Sequence, residues 1–204
     1  MKNSFDSVFT RVLNNCNVEY GFIKGNHTFF VIKAGLNGSI YGYENKYLDI
    51  AIGINEKYGY SVLCSSNPEG ASIPFNSLED IIDVVNKLAD ENGLKDPIVY
   101  YFGHSNGGLL GALYGKDYAI IKRMLLSNTP LFVNPLKTQR GIKEFKGEKL
   151  VMVYSEKDPS FKYTEIIGAI EGVELIIIKG QDHNYTLDGF DFRNLPEYIL
   201  KKQL

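Results

Sequence analysis

Apolar residues fall along the chain in two alternating rhythms. Short runs rich in Val, Ile, Tyr and Phe read as strands: "VEYGFIKG" (18–25), "HTFFVIKAG" (27–35), "YSVLCSS" (60–66), "PIVYYFG" (97–103), "IIKRMLLSN" (120–128), "KLVMVYS" (149–155) and "VELIIIKG" (173–180). Several are apolar on both parities, the pattern of strands covered on both faces. Between them, apolar positions recur every three or four residues. The clearest such stretch is 77–92. Leu78, Ile81, Ile82, Val85, Leu88 and Ala89 share one helical face, Asn76 or Ser77 can cap it, Glu79 and Asp80 suit its first turn, and Gly93 ends it. Segments 41–57, 105–115, 134–146, 160–170 and 194–202 predict further helices. This alternation predicts an α/β architecture, residues 1–204 forming one domain, with a mostly parallel sheet and helices on both faces. Gly25-Asn26 separates the first two strands so closely that they read as neighbours joined by a tight turn.

Composition narrows the field. At 204 residues the chain can bury a sizeable core, and 44% hydrophobic residues is ordinary for a soluble protein. The formal charge of −2, with both signs mixed along the chain, offers no basic footprint for nucleic acid and no polybasic patch for a membrane. No apolar run reaches the length of a membrane span, and "MKNSFDSVFTRVLNN" lacks the apolar core of a signal peptide, so a cytoplasmic protein is expected. Cys16 and Cys64 are then simplest as two thiols rather than a disulfide. There is no zinc-type His/Cys spacing and no Gly-Lys-Ser/Thr phosphate loop, so no metal or cofactor is called for.

The chemistry gathers at Gly103-His104-Ser105-Asn106-Gly107, a G-x-S-x-G match with a strand before it and a helix after it. That is the setting of a nucleophile elbow, a turn so sharp that side chains two residues either side of the serine would collide. Ser105 would stand exposed above the sheet, with a helix N-terminus behind it. A serine hydroxyl needs a base. Of the 3 histidines, His27 lies in an early turn and His104 inside the elbow, where its ring should pack beneath the turn. His183, after the last strand in "IIIKGQDHNYT", is the one a loop could carry over the serine. The imidazole needs an acid to fix its tautomer. Asp158, past the penultimate strand, is the candidate, with Glu156 as fallback; Asp182 is too close in sequence to orient its neighbour's ring. Each of these residues also reads as a plain turn or loop position.

With these residues in place the chain resembles the α/β-hydrolase superfamily, through "GHSNGG", an Asp after the penultimate strand and a His after the last, over about 18–204. The resemblance implies a mostly parallel twisted sheet with one antiparallel strand near the start, here 18–25. It also implies an oxyanion hole formed by the backbone N–H groups of Asn106 and of Leu36 in "KAGLNGS" (33–39). Family members often carry His where this chain has Ala34. The segment between the strands ending near Asn128 and beginning near Lys149 has room for one helix and a loop, so no cap domain is expected. An open site of this kind suits a carboxylesterase or thioesterase acting on a small-molecule ester or thioester. A non-catalytic binding module, or an acyltransferase or carbon–carbon hydrolase with the same three residues, is the alternative. Tyr41, Tyr43, Phe132, Phe161, Tyr163 and Tyr185 are candidates for the rim, or for the core. Oligomeric state is not readable.

Overall fold

A computed structural model describes residues 2–68 and 77–201. Its strands are β1 (Ser7–Leu13), β2 (Cys16–Ile23), β3 (Asn26–Lys33), β4 (Tyr60–Ser65), β5 (Ile98–His104), β6 (Ile121–Ser127), β7 (Lys149–Ser155) and β8 (Val173–Ile178). They form one 8-stranded sheet in the order β1-β2-β4-β3-β5-β6-β7-β8. The pairs β1/β2 and β2/β4 are antiparallel and every other pair is parallel, so β2 alone runs against the rest. The reversed strand expected at 18–25 is this one.

Alternation along the strands divides the core in two. Phe29, Val31, Tyr101, Leu126 and Met152 face α2 (Ser77–Glu91), α4 (Pro135–Glu144) and α5 (Thr164–Gly168). Phe30, Ile32, Phe102, Leu125 and Val153 face α1 (Lys46–Tyr58) and the C-terminal segment containing α6 (Glu197–Leu200). Both faces of the central strands are thus dry, which is why those strands lack a polar parity. The α3 helix (Asn106–Tyr114) follows β5 directly.

Three expectations are corrected. First, β1 was not foreseen. It is a half-exposed edge strand whose outward Val8 and Val12 are 47% and 69% exposed, while inward Arg11 pairs with Asp80 at 2.8 Å, so polarity does not mark its faces. Second, β2 and β3 are not neighbours, because β4 lies between them. The link between them passes the start of β4 so closely that a Cβ on Gly25 would lie 2.3 Å from the Tyr60 carbonyl. A short connection therefore joins strands that splay apart to admit a third. Third, the helix expected from 41 begins at Lys46, since Gly42, Glu44 and Asn45 have φ of 71°, 50° and 58°, outside the right-handed helical region. The helices around 160–170 and 194–202 are likewise shorter, each preceded by a 3-10 turn. Gly93 does end α2, in the left-handed region at φ 67°, whereas the proposed cap Asn76 lies outside the described residues.

Between β6 and β7 the described residues carry the single helix α4 and no cap. Cys16 and Cys64 are not joined. Among the described residues no helix is long and apolar enough to cross a membrane.

Candidate active site

The β5 strand ends at His104 and α3 starts at Asn106, leaving Ser105 alone at the corner with φ 53° and ψ −118°. A non-glycine residue with positive φ is strained by roughly 1–3 kcal/mol and persists only where its surroundings hold it. Three hydrogen bonds do so. The Ser105 N–H donates to Ser127 O at 2.8 Å, Leu109 N–H donates to Ser105 O at 3.0 Å, and the buried Tyr101 hydroxyl donates to Gly107 O at 2.6 Å. The steric reason for the two glycines is only half as expected. A Cβ on Gly103 would lie 2.4 Å from Gly107 O, but one on Gly107 would lie 2.3 Å from Lys33 O, at the end of β3. The second glycine thus lets the elbow approach the neighbouring strand.

The fold brings Ser105, His183 and Asp158 into one line. His183 Nε2 lies 2.9 Å from Ser105 Oγ, and His183 Nδ1 lies 2.5 Å from Asp158 Oδ2. A carboxylate only accepts, so the proton sits on Nδ1 and Nε2 is left to accept from the serine. Asp158 is buried, and its other oxygen accepts from Ser160 N–H at 2.6 Å. Such a line can take a proton from the hydroxyl and stabilise the imidazolium that results.

The other candidates lie elsewhere. Glu156 is exposed and accepts from Gly180 N–H at 2.9 Å. Asp182 accepts from the N–H groups of Asn184 and Thr186 and from the Thr186 hydroxyl, shaping the loop rather than the ring. His27 is exposed at the start of β3. His104 is buried, as expected, but its ring centre lies 5.4 Å from that of His183. Burial first, then the charges of Lys46 and His183, keep it neutral by pushing its pKa well below the usual imidazole value.

Sequence reasoning missed Asn128. This fully buried residue, at φ 46°, follows β6 and ties the acid strand to the histidine loop. Its amide nitrogen donates to His183 O at 2.7 Å and Ser155 Oγ at 2.9 Å, and its amide oxygen accepts from Ser155 N–H at 2.8 Å. "SNTP" reads as an ordinary turn, and only the contacts distinguish it.

The loop 34–39 runs against the serine. A Cβ on Gly35 would lie 3.2 Å from Ser105 Cβ. In place of the missing histidine, Asn67 braces the loop: its side chain donates to Ala34 O at 3.2 Å, its carbonyl accepts from Asn37 N–H at 2.7 Å, and its own N–H donates to Gly38 O at 2.9 Å. Among the described residues, neither Leu36 N–H nor Asn106 N–H is given to another backbone carbonyl. A cavity of about 600 Å³ opens over Ser105 and His183, walled by Gly35, Leu36, Tyr43 and Lys46. Of the six aromatics considered for the rim, Tyr43 alone lines it. Tyr185 is core, its hydroxyl 2.9 Å from Ser127 Oγ. Among the described residues no group of three or more His, Cys, Asp or Glu side chains could hold a metal ion.

The sequence matches no protein-family model and no curated protein. Solved structures do resemble the chain. Est1E from Butyrivibrio proteoclasticus superposes with a TM-score of 0.70 at 14% identity, covering 88% of this chain and 91% of that one. An alpha-beta serine hydrolase homologue from Coxiella burnetii gives 0.64 at 13%, covering 91% and 92%. The thioesterase domain from the curacin biosynthetic pathway gives 0.58 at 11%, covering 87% and 94%. At such identities the likeness is one of fold.

Proposed function

We propose that this chain, which has the α/β-hydrolase fold, is a serine hydrolase that cleaves a carboxylic ester or thioester through an acyl-enzyme on Ser105. The observation that carries this reading is the continuous hydrogen-bonded line from Ser105 through His183 to Asp158, 2.9 and 2.5 Å long. His183 Nε2 takes the hydroxyl proton as Ser105 Oγ bonds to the substrate carbonyl carbon. The carbonyl π electrons move to its oxygen, and the N–H groups of Leu36 and Asn106 receive the charge. Each such donor lowers the barrier by about 3–4 kcal/mol. When the oxyanion collapses, the bond to the leaving alcohol or thiol breaks and His183 hands it the proton. Water then repeats the sequence and releases the acid.

The exposure of the cavity wall, with Leu36 52% and Tyr43 71% exposed, supports short or loosely held acyl groups over long enclosed ones. A fluorophosphonate probe and a panel of p-nitrophenyl esters of rising acyl length test the reading. The expected result is labelling and short-chain turnover, both lost in Ser105→Ala, turnover by about 10³-fold or more. Absence of labelling in the wild type would point to a binding module instead. Product transfer to an added alcohol in preference to water would point to an acyltransferase.

A further inference from the structure

One cation in the cavity stands where stability disfavours it. Lys46 is the first residue of α1, the end of a helix that repels positive charge. It is half-buried, and among the described residues no carboxylate lies within ion-pair distance of it. Its two charged neighbours do not supply one. Arg193 adds like charge and is itself bound to Asp49 at 2.8 Å and Asp191 at 3.4 Å. Asp182 attracts Lys46 only at a distance, its oxygens committed to Asn184 and Thr186. Burial, then Arg193, hold the Lys46 ammonium down to about 8. Its nearest favourable contacts among the described residues are aromatic faces, Phe192 at 4.0 Å and Tyr47 at 5.6 Å from the ammonium to the ring centre, and neither neutralises its charge.

Lys46 also stands at a junction. It lines the cavity over Ser105 and His183, and it lines a second of about 430 Å³ that also holds Glu44, Asp191, Phe192 and Arg193, neither carboxylate lying within ion-pair distance of Lys46. Among the described residues no acidic side chain lines the first cavity. The charge is therefore free to face a ligand next to the serine.

Resting on the serine-hydrolase reading above, we propose that the substrate carries an anionic group, a carboxylate or its equivalent, and that Lys46 holds it beside the ester carbonyl. The site then selects charged esters, such as half-esters of dicarboxylic acids, over neutral ones of equal size. Binding supplies the counter-charge that the fold withholds, and a half-desolvated ammonium gains more from an anion than an exposed one does.

The test compares two near-isosteric 4-nitrophenyl esters, mono-4-nitrophenyl glutarate and the analogue in which its carboxylate is replaced by the neutral primary carboxamide. Wild-type enzyme is expected to prefer the anion by about 10-fold to 100-fold in kcat/KM, mostly through KM, the span of a hydrogen bond to a charged group. The ratio should fall to near one in Lys46→Gln and persist in Lys46→Arg. Raising the pH from 7 to 9 should erode it in wild type, as Lys46 loses its proton, but not in Lys46→Arg. The charged and titratable groups facing Lys46 from the other elements, Arg193, Asp182, Glu44, Asp191, His104 and His183, are unchanged in Lys46→Arg, so the difference between the two pH profiles isolates the titration of Lys46. A ratio near one in wild type, or one that survives Lys46→Gln, overturns the proposal and leaves Lys46 as packing for Phe192. Loss of Ser105-dependent turnover on both esters would instead count against the hydrolase reading.

Discussion

Replacing Asn128 by alanine should separate what holds the fold from what holds the imidazole. The side chain makes three hydrogen bonds, to His183 O, Ser155 Oγ and Ser155 N–H, and is fully buried. Truncation strands the Ser155 N–H and the His183 carbonyl, at about 1–3 kcal/mol for each group left unpaired. It also forces alanine into the left-handed region at φ 46°, for roughly 1–2 kcal/mol more. A loss of roughly 3–8 kcal/mol in stability is expected, read from urea unfolding. The functional effect is distinct. With its carbonyl released, the His183 loop is free to move the ring by an ångström or so, and a misplacement of that size costs about 100-fold in rate. We predict a kcat lower by about that factor on a p-nitrophenyl ester, with KM little changed. Asn128→Gly relieves the backbone strain and should recover about 1 kcal/mol of stability, yet none of the rate. Asn128→Asp keeps an acceptor for Ser155 N–H but turns a second oxygen on the His183 carbonyl, and should be slower still. If kcat in both Ala and Gly variants stays within threefold of wild type, the idea that Asn128 positions the imidazole is wrong.

Two further outcomes follow from other contacts. Gly107→Ala presses a methyl group to 2.3 Å from the Lys33 carbonyl, a backbone atom that cannot turn aside; about 3 kcal/mol and a Tm lower by roughly 6–12 °C are expected, and an unchanged Tm would refute the clash. Lys33, buried with Ser65 Oγ and Ser66 O as its hydrogen-bond partners among the described residues, is pushed down to about 7 by burial, against the pull of Asp80. The unfolded chain therefore binds more protons between pH 7 and about 10, so stability should rise with pH there, by roughly 1–2 kcal/mol from pH 7 to 8.5. Lys33→Met should flatten that rise in denaturant titrations, and an equal slope in both proteins would exclude Lys33 as its source.

Much of this arrangement was legible because it is local. The elbow is five consecutive residues with a strand before and a helix after. Asp158 and His183 each follow a strand whose apolar run is unmistakable. What stayed hidden depends on distant partners. Asn128 looks like any turn asparagine until β7 and the loop at 183 arrive beside it. Asn67 takes over loop support from an absent histidine across the β3–β4 pair. Lys46 reads as a polar residue in a helix, and only its burial beside Phe192 makes it unusual. Strand order was the other casualty: Gly25-Asn26 has the spacing of a hairpin, and nothing in those residues says that β4 will come between.

That interposed strand also ties the loop over Ser105 to the completion of the sheet. Two segments linked almost directly stand apart, separated by a third that the chain reaches only after running out through residues 34–58 and back. The outward journey carries the stretch facing Ser105, and the return completes the middle of the sheet. On the serine-hydrolase reading proposed above, a chain in which β4 has not entered the sheet would lack the braced loop that faces Ser105 as well as the strand.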